Sequence, residues 1–378
     1  MSTGIDEARI DDPGAIGELD ASGMLRAVAT SAAQIRESWA SVHDAGIAQL
    51  ADEGRPRSIV VCGMGGSGIA GDVLVAALGS SVSVPIVVHR NAGIPGWVGA
   101  ADLVIGVSCS GSTRETLAAV DEARHRAARL IGVGAPDSQL AEVVGRGRGV
   151  FVPARQVLAP RASLWALATP LLAVAATYGL IDIGDTASVD ELPVTLELAA
   201  ARLEQIAIGC RPDSESFLNP AKEIALAIAD ALPIVWGSGQ CGPVAALRFS
   251  CQLAENAKVP AVWGALPEAH HNQVVSLDGL DDDTDDIFRD RVDDLGSTRP
   301  RIVLIRDDAD PASMELSDST QRLADSRGLP VTVAAAEGES AIERLASVIG
   351  LLDFASVYIA VLRGVDPTPI RAIAQLKG

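Results

Sequence analysis

The stretch Ser58-Ile-Val-Val-Cys-Gly-Met-Gly-Gly-Ser-Gly-Ile-Ala-Gly-Asp72 has the composition of an anion cradle. An apolar run, Ser58 to Val61, stops at Gly63, and the chain passes through Gly65, Gly66 and Gly68 into an apolar, Ala-rich segment with helical character. Glycines remove the Cβ atoms that would keep a ligand from the backbone, and the free N–H groups of a helix start carry partial positive charge. The chemistry implied is phosphate binding by Gly65, Gly66 and Ser67. A second stretch, Ser108-Cys-Ser-Gly-Ser-Thr-Arg-Glu-Thr116, follows another apolar run and offers Ser108, Ser110, Ser112 and Thr113 to the same kind of ligand. Its bland competitor is a capping box, Ser112-x-x-Glu115, which also marks helix starts that bind nothing. Two such loops, after the first and third strands, would lie on the same C-terminal sheet edge where open α/β folds bind ligands, and together they favour one phosphate pocket.

Gly63-x-Gly65-x-x-Gly68 is also the dinucleotide fingerprint, which asks for an Asp or Glu at the end of the next strand. That strand, Pro85 to His89, ends in His-Arg-Asn, so the ribose partner of a nicotinamide cofactor is missing and Arg90, as a contact to a 2′-phosphate, is its only support.

These loops need a scaffold, and the chain supplies alternating elements. Ser58 to Val61, Pro85 to Val88, Leu103 to Val107, Leu130 to Val133 and Val150 to Val152 read as strands. Helices are expected around Ile69 to Leu78, Ser112 to Arg126 and Ser138 to Val144, an alternation that implies a parallel sheet wound with right-handed crossovers. A cover helix is expected from about Ala21 to Gln49. Residues 160–230 are helical in pattern, with Trp165 to Tyr178 apolar enough to be buried. The first theme then returns in Pro233-Ile-Val-Trp-Gly-Ser-Gly-Gln-Cys-Gly242, followed by a helix to about Glu255 and strands at Val259 to Val262, Arg301 to Ile305 and Val331 to Val333, so the second half reads as a divergent repeat. Ile305 is followed by Arg306-Asp307-Asp308 and not by a serine-rich loop, which leaves the phosphate pocket to the first half. A helix near Ala341 to Leu362 and a tail from Pro367 to Lys377 close the chain.

The expected class is thus α/β, two doubly wound parallel-sheet domains in tandem with connecting and flanking helices: 1–158 as the first domain with its N-terminal helix, 159–228 as a helical connector, 229–378 as the second domain. A chain of 378 residues with 48% hydrophobic content can bury two cores, and 3% aromatic content means they are built from Ala, Val, Leu and Ile. A formal charge of −19 argues against a nucleic-acid partner. The odd set Cys62, Cys109, Cys210, Cys241 and Cys251, without a Cys-x-x-Cys spacing, reads as reduced thiols in a cytoplasmic protein. The N-terminus lacks an export pattern, and no apolar run is expected to approach membrane-spanning length. Asp278 to Asp294 resembles a calcium loop only loosely, since Asp286 stands where the turn needs glycine, and reads as a solvated surface loop.

Five motifs occurring in order carry a family resemblance: the Gly-Met-Gly-Gly-Ser-Gly loop, Pro160-Arg161-Ala162, Glu255-Asn-Ala-Lys-Val-Pro-Ala, Pro267-Glu-Ala-His-His-Asn272 and Gly364-Val-Asp-Pro-Thr368. From about residue 20 onward the chain resembles the bifunctional phosphoglucose/phosphomannose isomerases, which are two sugar isomerase (SIS) domains in tandem. The resemblance implies interconversion of glucose 6-phosphate or mannose 6-phosphate with fructose 6-phosphate, without a metal or other cofactor, in a homodimer whose active site borrows a residue from its neighbour. It makes Glu255 the catalytic base, His271 the ring-opening residue supplied by the other subunit and Arg161 the cation beside the intermediate. Ser67, Ser108, Ser110 and Thr113 become the phosphate pocket. Two positions depart from the family pattern: Ser112 stands in place of Asn, and Ser250 in place of Lys.

That chemistry is sound on its own terms. Aldose–ketose conversion needs the ring opened, a proton taken from the carbon beside a carbonyl and returned to its neighbour, and the enediolate held meanwhile. A partly buried carboxylate serves as the shuttling base, histidine moves ring protons, and a guanidinium stabilises the oxyanion. His270 is expected to be structural. A sugar-phosphate-binding protein without turnover, a sensor or regulatory partner, is the alternative from another class.

Overall fold

In the computed structural model the protein is described over residues 5–184, 191–279 and 300–377. Contacts divide the chain into two compact units, Arg26–Gln205 with Glu339–Ala346, and Met1–Leu25 with Ile206–Gly338 and Ser347–Gly378. These boundaries differ from the expected ones: the residues before Arg26 go with the second sheet, and the expected connector is shared between the units.

The unit of Arg26–Gln205 is built on a parallel sheet of β1 (Ile59–Cys62), β2 (Ile86–His89), β3 (Leu103–Ser108), β4 (Arg129–Gly134) and β5 (Val150–Pro153), in the order β2-β1-β3-β4-β5. β1 and β3 are buried along their whole length, as strands covered on both faces must be, which is why they read as unbroken apolar runs. One face packs Val60, Val104 and Leu130 against Val120, Leu140 and Val144 of the helices Arg114–His125 and Gln139–Arg146. Helix Leu164–Thr177, apolar on all sides and almost wholly buried, packs against helices Gly66–Leu78 and Ser31–Asp44. The strand order reverses at β1, so the loops after β1 and β3 flank the switch point where such sheets bind ligands.

The other unit repeats this plan with β6 (Leu232–Gly237), β7 (Val262–Ala265), β8 (Pro300–Arg306) and β9 (Val331–Ala335), all parallel, in the order β7-β6-β8-β9. Trp236, Leu304 and Leu266 anchor its core. The tandem of doubly wound parallel sheets expected from the sequence is present.

Three details differ from expectation. The single cover helix is broken into Met24–Ala29, Ser31–Asp44 and a 3-10 segment Ile47–Glu53, with Gly23 and Gly46 at φ 80° and 73° marking two of the breaks. The strand expected at Val259 to Val262 begins only at Val262, because Val259 still closes the preceding turn through its N–H to the Leu253 carbonyl, at 3.1 Å. Helix Ala341–Leu362 has the length and apolarity of a membrane span, contrary to the sequence reading, but 94% of its apolar window is buried inside the protein, as a core helix requires. Of the Asp-rich segment, Asp278 pairs with Arg327 at 2.6 Å, while Asp281, Asp283, Asp285 and Asp286 lie outside the described residues.

Candidate active site

The first glycine loop turns at Gly65, whose φ of 53° and ψ of −129° suit glycine, and helix Gly66–Leu78 starts at the next residue. Gly68 is required sterically, since a Cβ there would lie 2.9 Å from both the Gly63 carbonyl oxygen and Arg90 Nε. Arg90, the one support for a nicotinamide reading, is ion-paired with Asp72 and leans on this helix turn. Burial raises the pKa of Asp72, and Arg90 counteracts the rise.

The two loops meet. The backbone N–H of Cys109 donates to Ser67 Oγ at 3.3 Å, so the start of the glycine-loop helix touches the end of β3. Beyond it, Ser108 Oγ and Thr113 Oγ1 are 2.9 Å apart, and the Ser112 N–H and hydroxyl both donate to Ser110 Oγ, at 3.3 and 3.1 Å. Gly111 at φ 66° makes the sharp reversal that keeps these hydroxyls together. The capping box is not formed: helix Arg114–His125 starts one residue past Thr113, which makes no side-chain cap. The serine loop is therefore free of the bland role that its sequence allowed.

Arg161 joins this group. It lies in the 3-10 turn Pro160–Ala162, only 4% exposed, and the ideal Cβ position of Gly66 is 3.3 Å from the Pro160 carbonyl oxygen and 3.7 Å from Arg161 Cα. Gln34 holds the turn from behind, its Nε2 donating to the Ala162 carbonyl at 2.7 Å. The structure thus brings together Gly65, Gly66, Ser67, Ser108, Ser110, Ser112, Thr113 and Arg161. The thiols nearby are poor nucleophiles, since burial pushes Cys62 up to about 12 and Cys109 to about 11.

Glu255 lies in the other unit. Helix Gly242–Gln252 runs on into a π-helical turn, Leu253–Ala257, which ends at Lys258 in the left-handed conformation, φ 59°. π-turns inside helices occur frequently at functional sites. Here the inner side is anchored: Asn256 Nδ2 donates to Ser356 Oγ at 2.9 Å, and Asp353 accepts from Arg248 Nε and Nη2 at 2.9 and 2.6 Å and from Gln252 Nε2 at 2.9 Å. Glu255 stays half-buried and lines a cavity of about 560 Å³ together with Lys258 and residues of the C-terminal segment. Ser250 is buried, its hydroxyl donating to the Leu247 carbonyl at 2.7 Å.

His271 ends the short helix Glu268–His271, which follows β7, and is exposed. β6 and β7 are parallel, so the helix between them returns along the sheet and leaves Glu255 ahead of β7, while His271 comes after it. The four-residue β7 lies between them, roughly 13 Å of strand at about 3.3 Å per residue. One chain therefore does not place Glu255 and His271 at the same edge of this sheet. His270 is structural, as expected: Nε2 lies 2.8 Å from Thr320 Oγ1, and the ring stands edge-on to Trp236. Burial, then the neighbouring His271, lowers its pKa.

Sequence reasoning missed Asp307. The repeat loop Gly237-Ser-Gly-Gln-Cys-Gly242 has the form of an anion cradle, but fully buried Asp307, just past β8, accepts from the Cys241 N–H at 2.7 Å. Its backbone presses on Gly239, where a Cβ would lie 2.2 Å from the Asp307 carbonyl oxygen. The second cradle holds the chain's own carboxylate. The only signal was the run of aspartates, Asp307, Asp308 and Asp310, where the first half carries serines.

Comparison with known proteins follows the same lines. Residues 55–143 match the SIS domain family, and residues 217–378 match the bacterial phospho-glucose isomerase C-terminal SIS domain. The bifunctional phosphoglucose/phosphomannose isomerase of Caldicellulosiruptor bescii is 29% identical over 327 residues, covering 84% of this chain and 88% of that protein. The protein of the same name from Aquifex aeolicus is 27% identical over 330 residues, 85% of this chain and 89% of its own. In fold, the chain is similar to the C-terminal domain of glucosamine-fructose-6-phosphate aminotransferase from Francisella tularensis, with a TM-score of 0.66 at 16% identity over 92% of this chain and 98% of that one. In motif order, in sheet topology and along most of its length, the chain is similar to the bifunctional phosphoglucose/phosphomannose isomerases, and it carries an SIS domain in each half.

Proposed function

We propose that the protein is an aldose–ketose isomerase that interconverts glucose 6-phosphate, mannose 6-phosphate or both with fructose 6-phosphate through an enediolate. The observation that carries this reading is the likeness over about 85% of the chain to proteins named for that activity. The cluster of hydroxyls and N–H groups at Ser67, Ser108, Ser110, Ser112 and Thr113 supports it as a phosphate pocket, with Gly65 and Gly66 exposing the helix start. Arg161 would steady the developing oxyanion, and Glu255 would shuttle the proton between the two carbons. His271 would open the ring from a neighbouring copy in a cytoplasmic homodimer. Its exposure, and its place across β7 from Glu255 of the same chain, support that assignment. The reaction moves a proton and no net electrons, so it asks for no redox cofactor.

A coupled assay of the purified protein with glucose 6-phosphate, mannose 6-phosphate and fructose 6-phosphate tests the reading. Turnover of at least one pair supports it. Binding of these sugars without turnover would establish the sensor reading in its place.

A further inference from the structure

Lys258 occupies a position that neither the phosphate chemistry nor the proton shuttle explains. It ends the π-turn that bears Glu255, and its left-handed backbone, uncommon for a residue with a side chain, directs the side chain back over that turn. The ammonium donates to the carbonyls of Glu255 at 2.5 Å, Asn256 at 3.3 Å and Pro367 at 3.4 Å. The first two belong to the end of the turn, where carbonyls lack intrahelical partners and a cation is favoured. The third belongs to a segment more than a hundred residues away in sequence. Pro367 lies between Asp366 and Pro369, which line the same cavity of about 560 Å³ as Glu255, with Ile370 and Arg371 beyond them. One side chain therefore ties the turn that carries Glu255 to the C-terminal segment that lines the same cavity. The inner side of the turn is already fixed by Asn256 on Ser356 and by the Arg248–Asp353 pair. Lys258 supplies the hold on the outer side.

We propose that Lys258 is a positioning residue for the isomerisation: it fixes the Glu255 turn and the Asp366–Arg371 wall as one rigid cavity. It is not itself the base or a phosphate ligand. The proposal rests on the reading of Glu255 as the shuttling base. A base displaced by about 1 Å loses on the order of a hundredfold in rate while the substrate still binds, because binding does not need the near-attack geometry.

The test uses Lys258→Gly, which keeps the left-handed backbone without strain, and Lys258→Arg, which restores a donor cation. Lys258→Gly should lower kcat by about 10- to 100-fold with KM changed less than about threefold, and Lys258→Arg should recover most of the rate. Backbone amide exchange, read without turnover, should accelerate in both 253–258 and 365–371 in the Gly variant and in neither in the Arg variant. A Gly variant with wild-type kcat, a rise in KM alone, or unchanged exchange in either segment overturns the proposal. If the wild-type protein turns over no hexose 6-phosphate, the isomerase reading falls, and the exchange comparison still decides whether Lys258 joins the two walls.

Discussion

Glu255 and His271 of one chain stand on opposite sides of β7, the first ahead of the strand and the second past it. The proposed symmetric dimer with shared sites would supply them to one substrate molecule from two copies of the chain. Mixing inactive Glu255→Gln with inactive His271→Ala should then restore activity through heterodimers that keep one intact pair. Heterodimers that form and stay inactive would place the whole reaction within one chain.

The hydroxyl loop and the Asp307-filled loop make opposite forecasts for the two halves. Ser110→Ala with Thr113→Val should weaken sugar-phosphate binding by about 1–3 kcal/mol, the range for losing hydrogen bonds to a charged group. Since the Asp307 carboxylate already occupies the Cys241 N–H, calorimetry should give one phosphate-bearing ligand per chain. Unchanged affinity in the double variant, or two equivalent sites per chain, would contradict the assignment.

Stability should fall in acid partly through Asp102, which is fully buried and accepts from Arg57 Nη2 at 2.6 Å, Arg57 Nε at 2.9 Å, Ser58 Oγ at 2.8 Å and the Gly99 N–H at 2.8 Å. Burial by itself would raise its pKa, but the bonds from Arg57, Gly99 and Ser58 outweigh burial and hold it below the ordinary 3.8. The folded protein thus keeps this charge to lower pH than the unfolded chain. Its contribution is complete above the unfolded pKa, near 4, and disappears as pH falls through the folded value. Urea unfolding from pH 6 down to about 2 should show a shallower acid loss in Asp102→Asn than in wild type. Parallel curves would remove Asp102 from the account.

The sheets were legible because buried parallel strands are continuous apolar runs, and Val60, Val104 and Ile131 could hardly be anything else. Both glycine loops and the missing serines of the second half could be read as well, since composition alone marks them. Conformation was harder. Val259-Pro-Ala-Val262 looks like a strand, yet Val259 finishes a π-turn, a conformation with no distinctive sequence pattern. Ser112 and Glu115 have capping-box spacing, but Thr113 turns its hydroxyl to Ser108 and the helix starts later. Asp307 and Lys258 escaped notice because their roles depend on contacts across 66 and 109 residues of sequence.

The central claim is that Glu255 moves the proton. Glu255→Gln keeps size and most hydrogen bonding but removes the acceptor, so turnover should fall at least 10²- to 10⁴-fold, the usual worth of a positioned base, while affinity for hexose 6-phosphate scarcely changes. The most direct measurement is deuterium incorporation from heavy water at the carbon beside the carbonyl of recovered hexose phosphate. The account predicts label with wild-type protein and none above background with the Gln variant. Wild-type protein that binds hexose 6-phosphate but neither isomerises nor labels it, or a Gln variant that labels at the wild-type rate, would contradict it.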